Sequence, residues 1–471
     1  MIDLTLTQLA HAVSGELRLA NGDTPDTIVS GGVDTDSRLI EPGGIFVAKP
    51  GEETDGHLFV DAAVARGAVL ALVERPVEAA VTQILVPDVV AALADLARDV
   101  VARVRAGGSL KVIGITGSNG KTTTKNLLAR ILQDEGETVS PRASFNNEVG
   151  APLTMLRVTH ATRFLVSEFG ASGPGEIARL AGLVDPDVGI VLMVGMAHAG
   201  GFGGIEATLA AKSELVRAIR PGGLAVLNAD DARVASMAGI AGDRDAAVRW
   251  FGRGASATDV RADDVELTAS GTRSVVTADG VSATLDLRVL GEHHVTNALA
   301  AIAAATALGV PLEACIARLE TVELAERWRM QPLGSDRVRI INDAYNASPD
   351  SMSAALRTLA QIVRPGERTV AVLGAMSELG EYAEEEHDRV GLLAVRLGIQ
   401  RIVVVGAPAR RMFLEAIAQG SWDGEAVFFL TADDAFEYLL TELRDGDRVL
   451  VKSSNSAGLR FLGDRLGESF S

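Results

Sequence analysis

The stretch Thr116–Thr124, TGSNGKTTT, sets glycine, lysine and hydroxyl side chains directly behind the apolar run KVIGI. A strand, a glycine-rich turn and a helix start in this order make an anion site. Backbone N–H groups and the helix dipole point at a phosphate, and glycine lets the backbone come close. The usual phosphate-loop spacing has four residues between its glycines. Here only Ser118 and Asn119 separate Gly117 from Gly120, and Ile115 stands at the usual first-glycine position. The reading is still a nucleotide loop, with Gly117, Ser118, Asn119, Gly120 and Thr123 wrapping the phosphates. Lys121 would reach the outer phosphates and the Thr122 hydroxyl would sit on Mg²⁺. Such a metal needs an acid at a neighbouring strand end, and RFLVSEFG supplies Glu168. Two further residues fall at the same sheet edge, where α/β proteins bind ligands. His198 follows the apolar run VGIVLMVG, and Lys212 lies on the helix expected to start near Ile205.

The elements that must position these groups divide the chain at glycine-flanked changes of pattern. Residues 1–107 form a small α/β unit ending at Gly107-Gly108. Residues 108–326 alternate short apolar β runs with helix-length segments, the pattern of a parallel sheet covered on both faces. Within them, residues 259–290 read as an antiparallel insert turning at Asp279-Gly280. Residues 327–471 repeat the strand–helix alternation in a Rossmann-like manner, from RVRIIND to DRVLVK. No G-x-G-x-x-G follows the first strand of that unit, so a nicotinamide cofactor is not expected. The fold class is therefore α/β, in three domains.

Composition narrows the function. A chain of 471 residues with net charge −18 has no general basic face for nucleic acid. An anionic ligand must then be held by local groups against the overall field. The single cysteine, Cys315, excludes an intrachain disulfide or a multi-cysteine zinc site and reads as core packing. MIDLTLTQLA lacks the basic start of a signal peptide, and the apolar runs are shorter than the roughly 18 residues of a membrane span. A cytoplasmic protein without membrane insertion is expected.

The nine-residue loop, Glu168, His198 and the lysine of AKSEL together resemble the Mur ligases, ATP-dependent amide-forming enzymes of peptidoglycan assembly. In that family the shortened loop is the usual form. FNNEVGAPLTML and INDAYNASPDSM are similar to segments of the branch that adds a D-alanyl-D-alanine dipeptide to a UDP-N-acetylmuramoyl-tripeptide, as is LGAMSELGEYAEEEH. The resemblance implies a UDP-substrate domain at the N-terminus, a central ATPase-like domain and a C-terminal ligase domain. It implies substrate contacts from Asp36, Ser37, Arg38, Asn146, Asn147 and Asn346. It implies ATP contacts from Asn297, Arg327, Asp343 and Tyr345, two Mg²⁺ ions on Thr122, Glu168 and His198, and a carbamate on Lys212 completing the metal set. A monomer is expected. Three positions depart from the family pattern: Glu326 for a glycine, His294 for an asparagine and Asn455 for an arginine. Two rival readings are a folylpolyglutamate synthetase-like amide ligase and a P-loop ATPase whose output is conformational. The first lacks the muramoyl-type opening and DAYNASPDSM; the second would need no Lys212.

Overall fold

The computed structural model describes residues 1–471 except 21, 52, 53, 142–144, 198, 269, 270, 323–326 and 420–424. His198 and Glu326, singled out above, lie outside the described residues.

The first domain carries a five-stranded sheet ordered Glu16–Arg18, Thr82–Leu85, Leu70–Val73, Ile45–Val47, Val33–Asp34. Its long helix Val89–Ala106 starts on Asp88, whose carboxylate accepts from the N–H groups of Val90 and Ala91. That helix packs against the short helix Gly150–Met155 of the central domain, so one hydrophobic core runs through both domains. Arg105 closes the joint by donating to the Val184 carbonyl at 2.6 Å.

The centre of the molecule is a nine-stranded sheet. Lys111–Thr116 lies between Val188–Val191 and Thr162–Glu168, parallel to both. Ile113, Ile115, Val166 and Ile190 are fully buried, as expected of strands covered on both faces. The Asp279-Gly280 hairpin forms with positive φ at both residues, 50° and 82°, the geometry that suits the twist of its strands. It is not a separate insert, however. Val260–Leu267 pairs in parallel with Ala247–Gly252, so the three antiparallel strands extend the central sheet. Helix Lys121–Gln133 packs on helix Glu292–Ala307, whose alanine run Ala300–Ala305 (broken only by Ile302) lets the two approach closely. Cys315 is fully buried on the next helix, Leu312–Leu319, and burial pushes its thiol pKa up to about 12.

The third domain has six strands, ordered Gln331–Gly334, Val338–Asn342, Asp447–Lys452, Arg368–Leu373, Arg401–Val405, Ala426–Phe429. All pair in parallel except the first, an antiparallel edge strand beyond the sequence reading. Among the described residues no helix is long and apolar enough to cross a membrane.

Candidate active site

The phosphate loop is built by backbone conformation. Gly117 and Gly120 have φ of 155° and 85°, and neither has room for a side chain. A Cβ on Gly120 would come within 2.3 Å of Asn297 Oδ1 and one on Gly117 within 2.8 Å of Leu192 Cβ. Helix Lys121–Gln133 starts on Gly120, which offers no capping side chain, so the positive helix end faces the cleft. Lys121 folds back to donate to the Gly117 carbonyl at 2.7 Å, and burial lowers its pKa.

Glu168 stands at the end of the adjacent strand and is 1% exposed. Its Oε1 accepts from Asn146 Nδ2 at 2.9 Å and from the Thr122 hydroxyl at 3.3 Å. Its Oε2 is buried without a hydrogen-bond partner. A buried, unpaired carboxylate oxygen beside a phosphate loop is costly unless a cation completes it. The pairing of hydroxyl and carboxylate fits a hard divalent ion that takes its remaining ligands from water and phosphate oxygens. Among the described residues no group of three or more His, Cys, Asp or Glu forms a metal cage, so the protein alone would supply few ligands.

These groups open into a cavity of about 840 Å³ between the central and third domains. Ser118 to Thr123, Asn146, Glu168 and Asn297 line the central side; Asp343, Tyr345 and Asn346 line the other. Asp343 is fixed from two directions: its Oδ1 accepts from Met330 N–H at 3.0 Å and its Oδ2 meets Lys452 Nζ at 2.5 Å. Lys452 also reaches the Asn346 carbonyl at 3.1 Å, with a side chain only 3% exposed. It is a cavity residue with no signal of its own in the sequence, three positions before Asn455.

Arg327 does not line the cavity. Its guanidinium lies 2.8 Å from Asp464 and over the Trp328 ring, two-thirds exposed and away from the cavity. Arg329, two residues on, lines the cavity and lies 4.1 Å above the Tyr345 ring. Trp328 alone lies between them, and its φ of 65° turns the two arginines to different sides. Asn147 bonds within its own segment. Its Oδ1 accepts from the Gly150 N–H at 2.9 Å, so it secures the start of helix Gly150–Met155 and does not line the cavity. Asn455 holds Arg460 through its carbonyl at 2.7 Å.

Lys212 does not line the cavity either but sits behind it, 1% exposed on helix Ile205–Ala218. Its Nζ is 5.3 Å from the Phe202 ring centroid. Burial, then the Lys121 charge, lowers its pKa to about 7. His293 and His294 both line the cavity; burial lowers the pKa of each, that of His293 to about 4. Asp36, Ser37 and Arg38 lie in the first domain, apart from this cavity. Asp36 caps the turn Ser37–Leu39 and grips Arg38 at 2.7 Å, which lowers its pKa to about 2.

An anion loop, an orphaned carboxylate oxygen and a buried lysine on one domain, faced by a second domain across a cleft, suit phosphoryl transfer to a bound acid. Comparison with known proteins agrees. Three family models match: "Mur ligase family, catalytic domain" over residues 31–100, "Mur ligase middle domain" over 115–305 and "Mur ligase, glutamate ligase domain" over 328–455. The UDP-N-acetylmuramoyl-tripeptide–D-alanyl-D-alanine ligase of Mycobacterium tuberculosis is 43% identical over 99% of this chain and 98% of its own. A crystal structure of MurF from Acinetobacter baumannii superposes with a TM-score of 0.88 at 34% identity, covering 99% of both chains. MurF from Thermotoga maritima, solved in complex with ADP, has a TM-score of 0.81 at 26% identity, covering 94% of this chain and 98% of its own. The chain belongs to the Mur ligase family.

Proposed function

We propose that the protein is an ATP-dependent ligase that joins D-alanyl-D-alanine to UDP-N-acetylmuramoyl-tripeptide, giving the pentapeptide precursor of peptidoglycan. The observation that carries this reading is full-length similarity to ligases of that name in a chain whose cleft holds a phosphate loop beside an orphaned acid. Similarity that includes the first domain favours it over a folylpolyglutamate-type ligase. We place the activity in the cytoplasm, carried out by a monomer.

A carboxylate and an amine form a salt in water, so the carboxylate must first be activated. The γ-phosphoryl group of ATP passes to the terminal carboxylate of the tripeptide, giving an acyl phosphate and ADP. The dipeptide amine attacks the acyl carbon, the C–N bond forms, the nitrogen loses a proton, and inorganic phosphate leaves. The protein contributes position and charge. Lys121 and the N–H groups of the loop hold the phosphates. Asn297 lies beside the loop near the nucleobase, and Asp343, Tyr345 and Arg329 meet the nucleotide from the third domain. Asn146, Asn346 and the Asp36–Arg38 turn bind the sugar-nucleotide substrate. Thr122 and Glu168 would hold one Mg²⁺, and Glu168, His198 and a carbamate on Lys212 a second; these ions would neutralise phosphate charge as it shifts between oxygens. The lowered pKa of Lys212 supports the carbamate, because only the neutral amine takes up CO₂.

Phosphate release tests the reading. It should require ATP, UDP-N-acetylmuramoyl-tripeptide and D-alanyl-D-alanine together, and L-lysine or diaminopimelate should not replace the dipeptide. Release without either acceptor would point to a P-loop ATPase instead.

A further inference from the structure

The segment 193–204 joins strand Val188–Val191 to the helix that carries Lys212. Its first half is bolted to the phosphate loop. Ser118 N–H donates to the Met193 carbonyl at 2.9 Å, and the Ser118 hydroxyl donates to the Gly195 carbonyl at 3.1 Å. Gly195 N–H points back at that hydroxyl at 2.9 Å, and Val194 N–H reaches Asp231 Oδ2 at 2.8 Å. The next donor along, Met196 N–H, goes to the other domain, 3.0 Å from Asp350 Oδ2.

Asp350 stands in the first turn of helix Pro349–Ile362, behind the cap Ser348, whose hydroxyl also donates to Asn119 Oδ1 at 3.1 Å. The approach is close enough to dictate a residue type. A Cβ on Gly195 would lie 2.0 Å from Asp350 Oδ2, although Gly195 does not itself adopt a left-handed φ. Its backbone would accept alanine; the carboxylate of the other domain would not.

The rest of the segment meets the third domain in the same way. Gly200 N–H donates to the Glu378 carbonyl at 3.0 Å, and a Cβ on Gly200 would lie 2.5 Å from Gly380 N. Glu378 and Gly380 hold φ of 63° and 55° to present their backbone there. A Cβ on Gly204 would touch the Tyr382 hydroxyl at 3.1 Å. LGAMSELGEY, to which the reaction gave no task, is thus the surface on which this segment rests.

We propose that Asp350 is a positioning residue: by pinning the Met196 N–H when the third domain docks, it fixes residues 193–197 and, with the contacts of Gly200 and Gly204, the start of the helix that carries Lys212. Phosphoryl transfer then waits on docking. The inference rests on the ligase reading for its catalytic consequence and on geometry alone for its structural one.

Hydrogen exchange on the full-length protein separates the two. In Asp350→Ala, amides of 193–197 and 200–204 should exchange at least about tenfold faster than in wild type, while strand Lys111–Thr116 keeps its protection and reports an intact fold. Asp350→Asn, which retains an acceptor oxygen, should restore protection to within about threefold. Gly195→Ala should resemble Asp350→Ala, and the double variant should be no worse than Gly195→Ala alone, because the clash needs both groups. In the ligase assay kcat should fall at least about tenfold in Asp350→Ala, with KM for the UDP substrate within about threefold. Wild-type protection in Asp350→Ala, multiplying losses in the double variant, or an unchanged kcat in Asp350→Ala would overturn the proposal. If the wild type ligates nothing, the proposed function fails while the exchange comparison still decides this one.

Discussion

Lys212 offers the most demanding test of the chemistry. With a pKa of about 7 its amine is roughly three-quarters neutral at pH 7.5, against about one part in a thousand for an exposed lysine. Burial therefore raises the form that reacts with CO₂ several-hundredfold. The sign for stability follows. The folded-state pKa lies below the unfolded one, so the penalty on the unmodified amine is complete below pH 7 and is relieved as pH rises from 7 towards 10.5. At pH 7.5 it amounts to roughly 4 kcal/mol. In CO₂-free buffer, Lys212→Met should gain roughly that much in urea unfolding at pH 7.5, and clearly less at pH 9.5. The same lysine should be indispensable to turnover. Lys212→Ala should lose at least about a hundredfold in phosphate release, and added acetate should recover part of it by supplying the missing carboxylate. Wild-type turnover in Lys212→Ala would refute the carbamate and return Lys212 to a packing role.

Lys121→Ala should lower turnover by at least about two orders of magnitude in a protein that still unfolds cooperatively, and acetate should not rescue it, because the missing group is a cation. Arg329→Ala should weaken ATP use at least about tenfold in steady-state kinetics while Arg327→Ala stays within about twofold, since only the former faces the cavity. Asp343→Ala leaves the Lys452 ammonium buried without its carboxylate and should destabilise the protein by about 3 kcal/mol in urea unfolding; Asp343→Ala combined with Lys452→Met should recover much of that loss.

The parts of the site legible in the sequence are those made by neighbours in the chain. Gly117 to Thr123 form one turn, and Glu168 ends a strand whose apolar run marks it, so local spacing sufficed. Lys452 was not legible because its task depends on sheet register. Val451 pairs with Asn342, and that alignment brings the next residue of each strand, Lys452 and Asp343, together across more than a hundred positions. Arg327 and Arg329 share one chemistry two positions apart, and only the positive-φ turn around Trp328 separates their directions. The hairpin at Asp279-Gly280 was readable from its turn residues. Its membership of the central sheet was not, since that rests on the long-range pairing of Phe251 with Val260. Asn147 illustrates a further limit: an asparagine before a helix serves as readily to cap it as to bind a substrate.

The burial of Cys315 has a practical side. With a thiol pKa of about 12 and no surface contact, only about one molecule in ten thousand carries a thiolate at pH 8, and reagents cannot reach it. The natural protein is thus silent towards maleimides and iodoacetamides while folded. A single cysteine introduced on each side of the cleft would then be the sole labelling sites. A fluorophore pair attached there could report whether the distance between the two domains changes during turnover, with no native thiol to remove first.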